Sequence, residues 1–165
     1  MAYKNNKLYL SDASDQTIKV FNMSGKRLAK YGGAGKDKGR FAFATGLAVN
    51  DREQIYVADS NNHRVQVLDR NGTFIRTLNP PAKLKFSLPR AVAIDNESRV
   101  YVVDAFNKVG LVFASSGKFL TSFETAGKND DISLMPNAIA TNNKRRRIYV
   151  TDKMEGKVSI WTYSQ

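Results

Sequence analysis

The side chains able to do chemistry in this 165-residue chain are few and unevenly placed. There is one histidine, His63, and no cysteine. A His-based zinc site and thiolate catalysis are therefore excluded, and a Ser-His-Asp triad would depend on His63 alone. Four aspartates, Asp12, Asp59, Asp104 and Asp152, suggest a ring of metal ligands at first sight. Each ends an apolar run at a turn, where a carboxylate accepts hydrogen bonds from turn amides, so a structural role is expected of them. Gly32-Gly33-Ala34-Gly35-Lys36 looks like a phosphate cradle only superficially, because it lacks the Gly-Lys-Ser/Thr ending and no helical pattern follows. No cofactor and no metal are expected. Positive charge, by contrast, is plentiful: 26 Lys and Arg stand against 15 Asp and Glu, a formal charge of +11. That balance favours acidic partners such as nucleic acid, an anionic polysaccharide or lipid headgroups; the plain alternative is a solvated basic surface without a specific polyanion.

These residues sit on a repeat. Gln54 to Leu78 holds three short apolar runs, Ile55–Ala58, Val65–Leu68 and Thr73–Leu78, separated by Asp59–His63 and Asp69–Gly72. Asn71-Gly72 tolerates positive φ and marks a tight turn, so the stretch reads as an antiparallel meander. A tyrosine followed three residues later by aspartate occurs at Tyr9, Tyr56, Tyr101 and Tyr149, at spacings of 47, 45 and 48 residues. Gly25, Gly72 and Gly117 follow the first three tyrosines by sixteen residues. Further apolar runs precede three of the tyrosines, at Gly46–Val49, Ala91–Ile94 and Ala138–Ala140. A period of 40 to 50 residues with four short strands per unit signals the blades of a β-propeller.

The repeat resembles the NHL repeat. Ile55 to Leu68, IYVADSNNHRVQVL, matches the middle of that family's pattern, and Phe86-Ser87-Leu88-Pro89 matches its opening. The third and fourth copies are looser, with Ala105-Phe106-Asn107-Lys108 and Lys153-Met154-Glu155-Gly156-Lys157 in place of Ser60–Arg64. The single Trp leaves no WD signature, and there is no series of Gly-Gly doublets as in kelch. The expected fold is all-β: a propeller of NHL-type four-stranded blades, about four per chain, forming one segment over residues 1–165 with blades at about 7–31, 46–78, 90–123 and 137–163. Residues 1–6 look too short for a strand plus turn, so the first blade is expected to begin at its second strand, giving fourteen strands. NHL propellers usually have about six blades. The chain is then a fragment of a longer propeller, a subunit that completes a ring with further copies, or a small closed ring of four.

In such a propeller the loops joining one blade to the next share a face with the loops between second and third strands. That top face would carry Lys36, Lys38, Arg40, His63, Arg64, Lys83, Lys85, Arg90 and Lys108 beside Phe106. Basic residues next to an aromatic can hold phosphates and stack a base, and the resemblance implies single-stranded RNA as one ligand class. The inter-blade loop from Glu124 to Ile132 belongs to the same face, where Asp37, Asp130 and Asp131 dilute its charge. A second basic block, Lys144–Arg147, falls on the opposite face, most simply as an exposed turn. Enzymatic members of the propeller class use several metal-binding histidines or a carboxylate-rich channel mouth, and the inner strands here are Ala, Val, Leu and Ile. The expected function is non-enzymatic: a scaffold for a protein partner or for self-association, with RNA or another polyanion as the second reading and a lactonase-like or lyase-like enzyme as the third. No run approaches the roughly 18 apolar residues of a membrane span. The start lacks an apolar signal core, which implies a cytoplasmic protein or, as in a bacterial extracytoplasmic one, a leader already removed.

Overall fold

Fifteen strands form among the residues described by the computed structural model, 1–125 and 135–163. The first sheet runs β1 (Ala2–Lys4), β2 (Lys7–Asp12), β3 (Thr17–Asn22), β4 (Arg27–Gly32); the second β5 (Ala44–Val49), β6 (Ile55–Asp59), β7 (Arg64–Leu68), β8 (Phe74–Leu78). The third runs β9 (Pro89–Ile94), β10 (Val100–Asp104), β11 (Val109–Phe113), β12 (Phe119–Glu124), and the fourth β13 (Pro136–Asn142), β14 (Arg147–Asp152), β15 (Lys157–Thr162). Each sheet is an antiparallel meander in chain order, the topology of a propeller blade. The turns follow the repeat. Asp69 Oδ1 accepts the amide N–H groups of Asn71 and Thr73 at 2.8 Å each, while Gly72 takes φ +81°, a conformation that costs a residue with a Cβ.

The first blade departs from expectation. Ala2–Lys4 is a strand paired antiparallel with Tyr9, Leu8 and Lys7, so this blade has all four strands and the described residues hold fifteen rather than the expected fourteen. The connection needs only two residues, because Asn5 and Asn6 both adopt positive φ, 49° and 57°, and asparagine is the side chain that tolerates a two-residue primed turn best after glycine.

Three apolar clusters hold the blades together, one in each gap between successive sheets. Tyr9, Ile18 and Val20 of the first blade meet Leu47, Ile55, Val57 and Leu68 of the second. Tyr56, Val65 and Val67 meet Val100, Val102, Leu111 and Phe113. Tyr101, Val103 and Val112 meet Ile148 and Val150, with Trp161 alongside. Three filled gaps are what an arc of four blades has, whereas a closed ring of four would need a fourth; none is filled among the described residues. Burial follows from this arrangement. β6 and β10, packed on both faces, are buried along their whole length, while β15 alternates and leaves Val158 and Ile160 exposed.

The second, third and fourth blades each close on an aspartate. Asp59 and Asp104 have no solvent exposure and Asp152 has 9%. They accept the amides of Ala42 (2.7 Å), Ser87 (2.6 Å) and Met135 (2.8 Å), in every case the residue seventeen positions earlier. Asp104 also accepts from Leu88 and Asn107, and Asp152 from Met154 and Glu155. The carboxylates thus tie the strap arriving from the preceding blade, as well as the turn that follows. Asp12 has no such strap; it takes Ser14 and Lys19 near the surface. Truncation should expose the difference. Asp104→Ala strands the N–H groups of Ser87, Leu88 and Asn107 and should cost about 3 kcal/mol in urea-induced unfolding, while Asp12→Ala should move the midpoint far less.

Candidate binding surface

The loops expected to share the top face do so, and the second blade shows how. The strap from Gly35 to Ala42 is gripped by four side chains of one short stretch. Asn62 Nδ2 donates to the Gly35 carbonyl at 2.9 Å and to both oxygens of Asp59. Arg64 donates from Nε to Asp59 Oδ2 at 2.7 Å and from one Nη to the carbonyls of Asp37 and Arg40. Gln66, fully buried, accepts the Gly39 N–H and donates to the Arg40 carbonyl and to Asp59. With Asp59, these residues form a saturated polar clamp. The third blade keeps Asp104 and Asn107, whose amide donates to the Lys85 carbonyl at 2.7 Å, but has Val109 and Leu111 where Arg64 and Gln66 stand, and Lys108 takes the place of His63. That loss of clamp residues is why the third copy matches the repeat more loosely.

The ten residues expected on this face separate into distinct roles. Arg64 is half-buried and belongs to the clamp. His63, at φ 53°, bonds through Nδ1 to the Ser87 carbonyl and so joins the second blade to the following strap. Arg40 lies over the Gly32–Gly35 loop and donates to the Gly32 carbonyl at 3.0 Å. Lys38 extends over the Phe74 ring, 5.4 Å from its centroid. Lys36, Lys83 and Lys85 are exposed loop cations, Lys108 is half-buried, and Phe106 is 65% exposed. Among the described residues none of these cations except Arg64 has a carboxylate partner. Asp130 and Asp131, expected to dilute the patch, lie outside the described residues.

Arg90 stands apart from the others, at the mouth of the central channel. It occupies the second position of β9, as Thr45 does in β5 and Asn137 in β13. A chain of hydrogen bonds steps across the blades there. Ser11 Oγ donates to the Thr45 carbonyl at 2.7 Å, Thr45 Oγ1 to the Arg90 carbonyl at 2.9 Å, and Arg90 to Asn137 Oδ1 at 3.0 Å. Below this level the inner strands nearly touch. A Cβ on Gly46 would lie 2.5 Å from Ala91 Cα, so only glycine fits. Above it opens a cavity of about 440 Å³. Phe43, 40% exposed at φ 60°, stacks under the Arg90 guanidinium at 6.0 Å. Phe43 and Asn137 were not singled out from the sequence. Their signal is positional: Thr45, Arg90 and Asn137 follow the same site in each opening motif and differ in every copy.

The first blade neutralises its own share of the face. Lys19 bridges Asp12 and Asp15, and Lys30 reaches Asp15 at 3.2 Å. The Thr17 hydroxyl, then Lys19, hold the Asp15 carboxyl down at about 2, from an ordinary 3.8. A depressed carboxyl stabilises the fold above its unfolded value and loses that contribution as pH falls from near 4 toward 2. Among the described residues no group of three or more His, Cys, Asp or Glu is placed to hold a metal, and no helix is long and apolar enough to cross a membrane.

Comparison with known proteins reaches the clamp directly. Residues 41–68 match the family described as NHL repeat. Those residues are an NHL repeat. The matched segment runs from Phe41 at the end of the strap and contains Asp59, Asn62, Arg64 and Gln66. Two NHL-region relatives are similar over 45 residues, 27% of this chain: the B-box type zinc finger protein ncl-1 of Caenorhabditis elegans at 49% identity and the protein brain tumor of Drosophila melanogaster at 47%. The chain spans only 5% and 4% of their lengths. The fold is also that of virginiamycin B lyase from Staphylococcus aureus, solved in a catalytically inactive form with quinupristin (TM-score 0.68, 14% identity, 96% of this chain and 53% of that one). Kuenenia stuttgartiensis hydrazine synthase gives a TM-score of 0.70 at 13% identity, over 94% of this chain and 42% of that one. At such identities the likeness concerns the fold alone.

Clamp and surface residues should respond differently to substitution. Arg64→Ala removes the ion pair to a carboxylate with no solvent exposure and should cost about 2–3 kcal/mol by urea unfolding. Lys36→Glu and Lys38→Glu should each stay within about 0.5 kcal/mol. In Lys19→Met, the Asp15 titration followed by NMR should rise from about 2 toward 3.8.

Proposed function

We propose that this propeller segment is a non-enzymatic binding scaffold whose top face receives a protein partner. The observation that carries this reading is the clamped strap. Loops that would otherwise be mobile are tied to the blades by buried side chains, so the exposed groups between them, Phe43, Phe106, Lys36 and Lys85, are displayed on a fixed frame. Preorganised loops lower the ordering cost of association, and exposed aromatics beside cations are the residue types that anchor interfaces. Among the described residues the single histidine is engaged with the Ser87 carbonyl, and the buried Asp104 carboxylate is filled by backbone amides, which supports the non-enzymatic reading.

A second reading, recognition of single-stranded nucleic acid or another polyanion, is supported by the cations of the same face that lack carboxylate partners among the described residues and by the overall charge of +11. The two separate experimentally. A selection of displayed peptides against the immobilised chain should yield ligands whose binding is lost in Phe106→Ser with the circular dichroism spectrum unchanged. Ligands indifferent to every top-face change would overturn the scaffold reading. Affinity for a single-stranded oligonucleotide that falls steeply with salt, and disappears when Lys36, Lys38, Lys83 and Lys85 become Glu, would favour the polyanion instead. Turnover of a lactone, a streptogramin or a peptidyl-glycine substrate, abolished by His63→Ala, would contradict both.

A further inference from the structure

The central cavity holds one feature that neither the repeat nor the fold requires. Among the described residues lining it, Arg90 is the one charged side chain. Its guanidinium carries five N–H donors, of which the structure places one on Asn137 Oδ1, and it has no carboxylate within ion-pair distance among the described residues. The Asn137 amide nitrogen donates to no acceptor among the described residues and stands beside it. The Phe43 ring centroid lies 6.0 Å from the guanidinium carbon, within cation–π reach. The walls below are Ala91, Val92 and Ile139.

We propose that this mouth is a carboxylate site: Arg90 and the Asn137 amide receive the carboxylate of an acidic peptide side chain. The proposal deepens the scaffold reading and rests on it for the peptide, by giving the chemistry of the partner residue. Two observations select a carboxylate over a phosphate. Arg90 is the one charged side chain of the cavity, and a guanidinium matches a planar anion of single charge through a two-point fork, whereas a phosphate near −2 calls for further cations. The lysines of the face stand on the outer loops and none of them lines this cavity. The inner-strand hydrogen bonds from Ser11 through Thr45 to Arg90 fix the strand that carries the arginine, so the fork is set before the ligand arrives.

The test is an NMR titration of the full chain, reading the Arg90 Nε–H signal and the backbone amides of Thr45 and Asn137. The probes are N-acetylglutamate amide, its neutral isostere N-acetylglutamine amide, inorganic phosphate and a single-stranded oligouridylate. The expected result is a saturable shift at those three signals with the glutamate probe, at least about tenfold weaker with the glutamine probe and, at the Thr45 and Asn137 amides, with Arg90→Gln, and unaltered by Lys36→Glu with Lys38→Glu. Asn137→Asp keeps the side-chain size and supplies an internal carboxylate to Arg90, so it should abolish the shift in a folded protein. No saturable shift with glutamate, a shift that survives in both Arg90→Gln and Asn137→Asp, or a stronger response of these signals to phosphate or oligouridylate would overturn the proposal. Peptide ligands that bind through the outer loops while glutamate leaves Arg90 untouched would sink this site and leave the scaffold standing. A glutamate response at Arg90 in a chain for which no peptide ligand can be selected would establish the site and remove the scaffold reading.

Discussion

Asp59 is a charged group with no contact with water, and the blade around it is arranged to make that tolerable. A buried carboxylate is stable only when its lone pairs are filled. Here they are filled by the Ala42 amide, the Arg64 guanidinium, the Gln66 amide and Asn62. Asp104 solves the same problem with three backbone N–H groups. The requirement runs both ways: the strap needs acceptors for its amides, and the carboxylate needs donors. This reciprocal demand ties each blade to the segment that delivers it, and a top face of loops becomes a surface of fixed shape.

A second constraint acts at the centre. The inner strands converge until Gly46 meets the Ala91 backbone, and only small residues can stand at that level. The positions just above it are free of that restriction, so they can vary from blade to blade without disturbing packing. Thr45, Arg90 and Asn137 are such positions, and the side chains there are linked across the blades. Invariant geometry and variable chemistry thus lie one residue apart, which is how a propeller can keep its fold and change what it binds.

The same division explains what could be read from the sequence. The blades were legible because a few residues recur at fixed spacing: Tyr and Asp on the second strand, Gly at the outer turn, the Phe or Met–Pro opening before the inner strand. The four-stranded arrangement and the shared face followed from them. Ala2–Lys4 was missed because a three-residue inner strand has no apolar run to show, and its existence depends on an Asn5-Asn6 turn that composition alone does not distinguish from a loop. Arg64 reads on paper as one more surface cation; that it belongs to the clamp is decided by the Asp37 and Arg40 carbonyls, which approach only in three dimensions. Phe43 and Asn137 went unread because the residue types around the opening motif differ from copy to copy, and their meaning comes from Arg90 lying between them.

The claim underneath this account is that the top-face loops are locked to the blades by buried side-chain carboxylates. Native-state hydrogen exchange at the amides of Ala42, Leu88 and Met135 tests it most directly. All three lie at strap ends where ladder hydrogen bonds do not protect them, and each donates to an aspartate. The account predicts protection comparable to that of β6 and β10 amides, about 10³-fold or more over an open loop. Exchange as fast as that of Lys36 or Lys83 would show that the straps open independently of the blades, and the fixed binding face would fall with them.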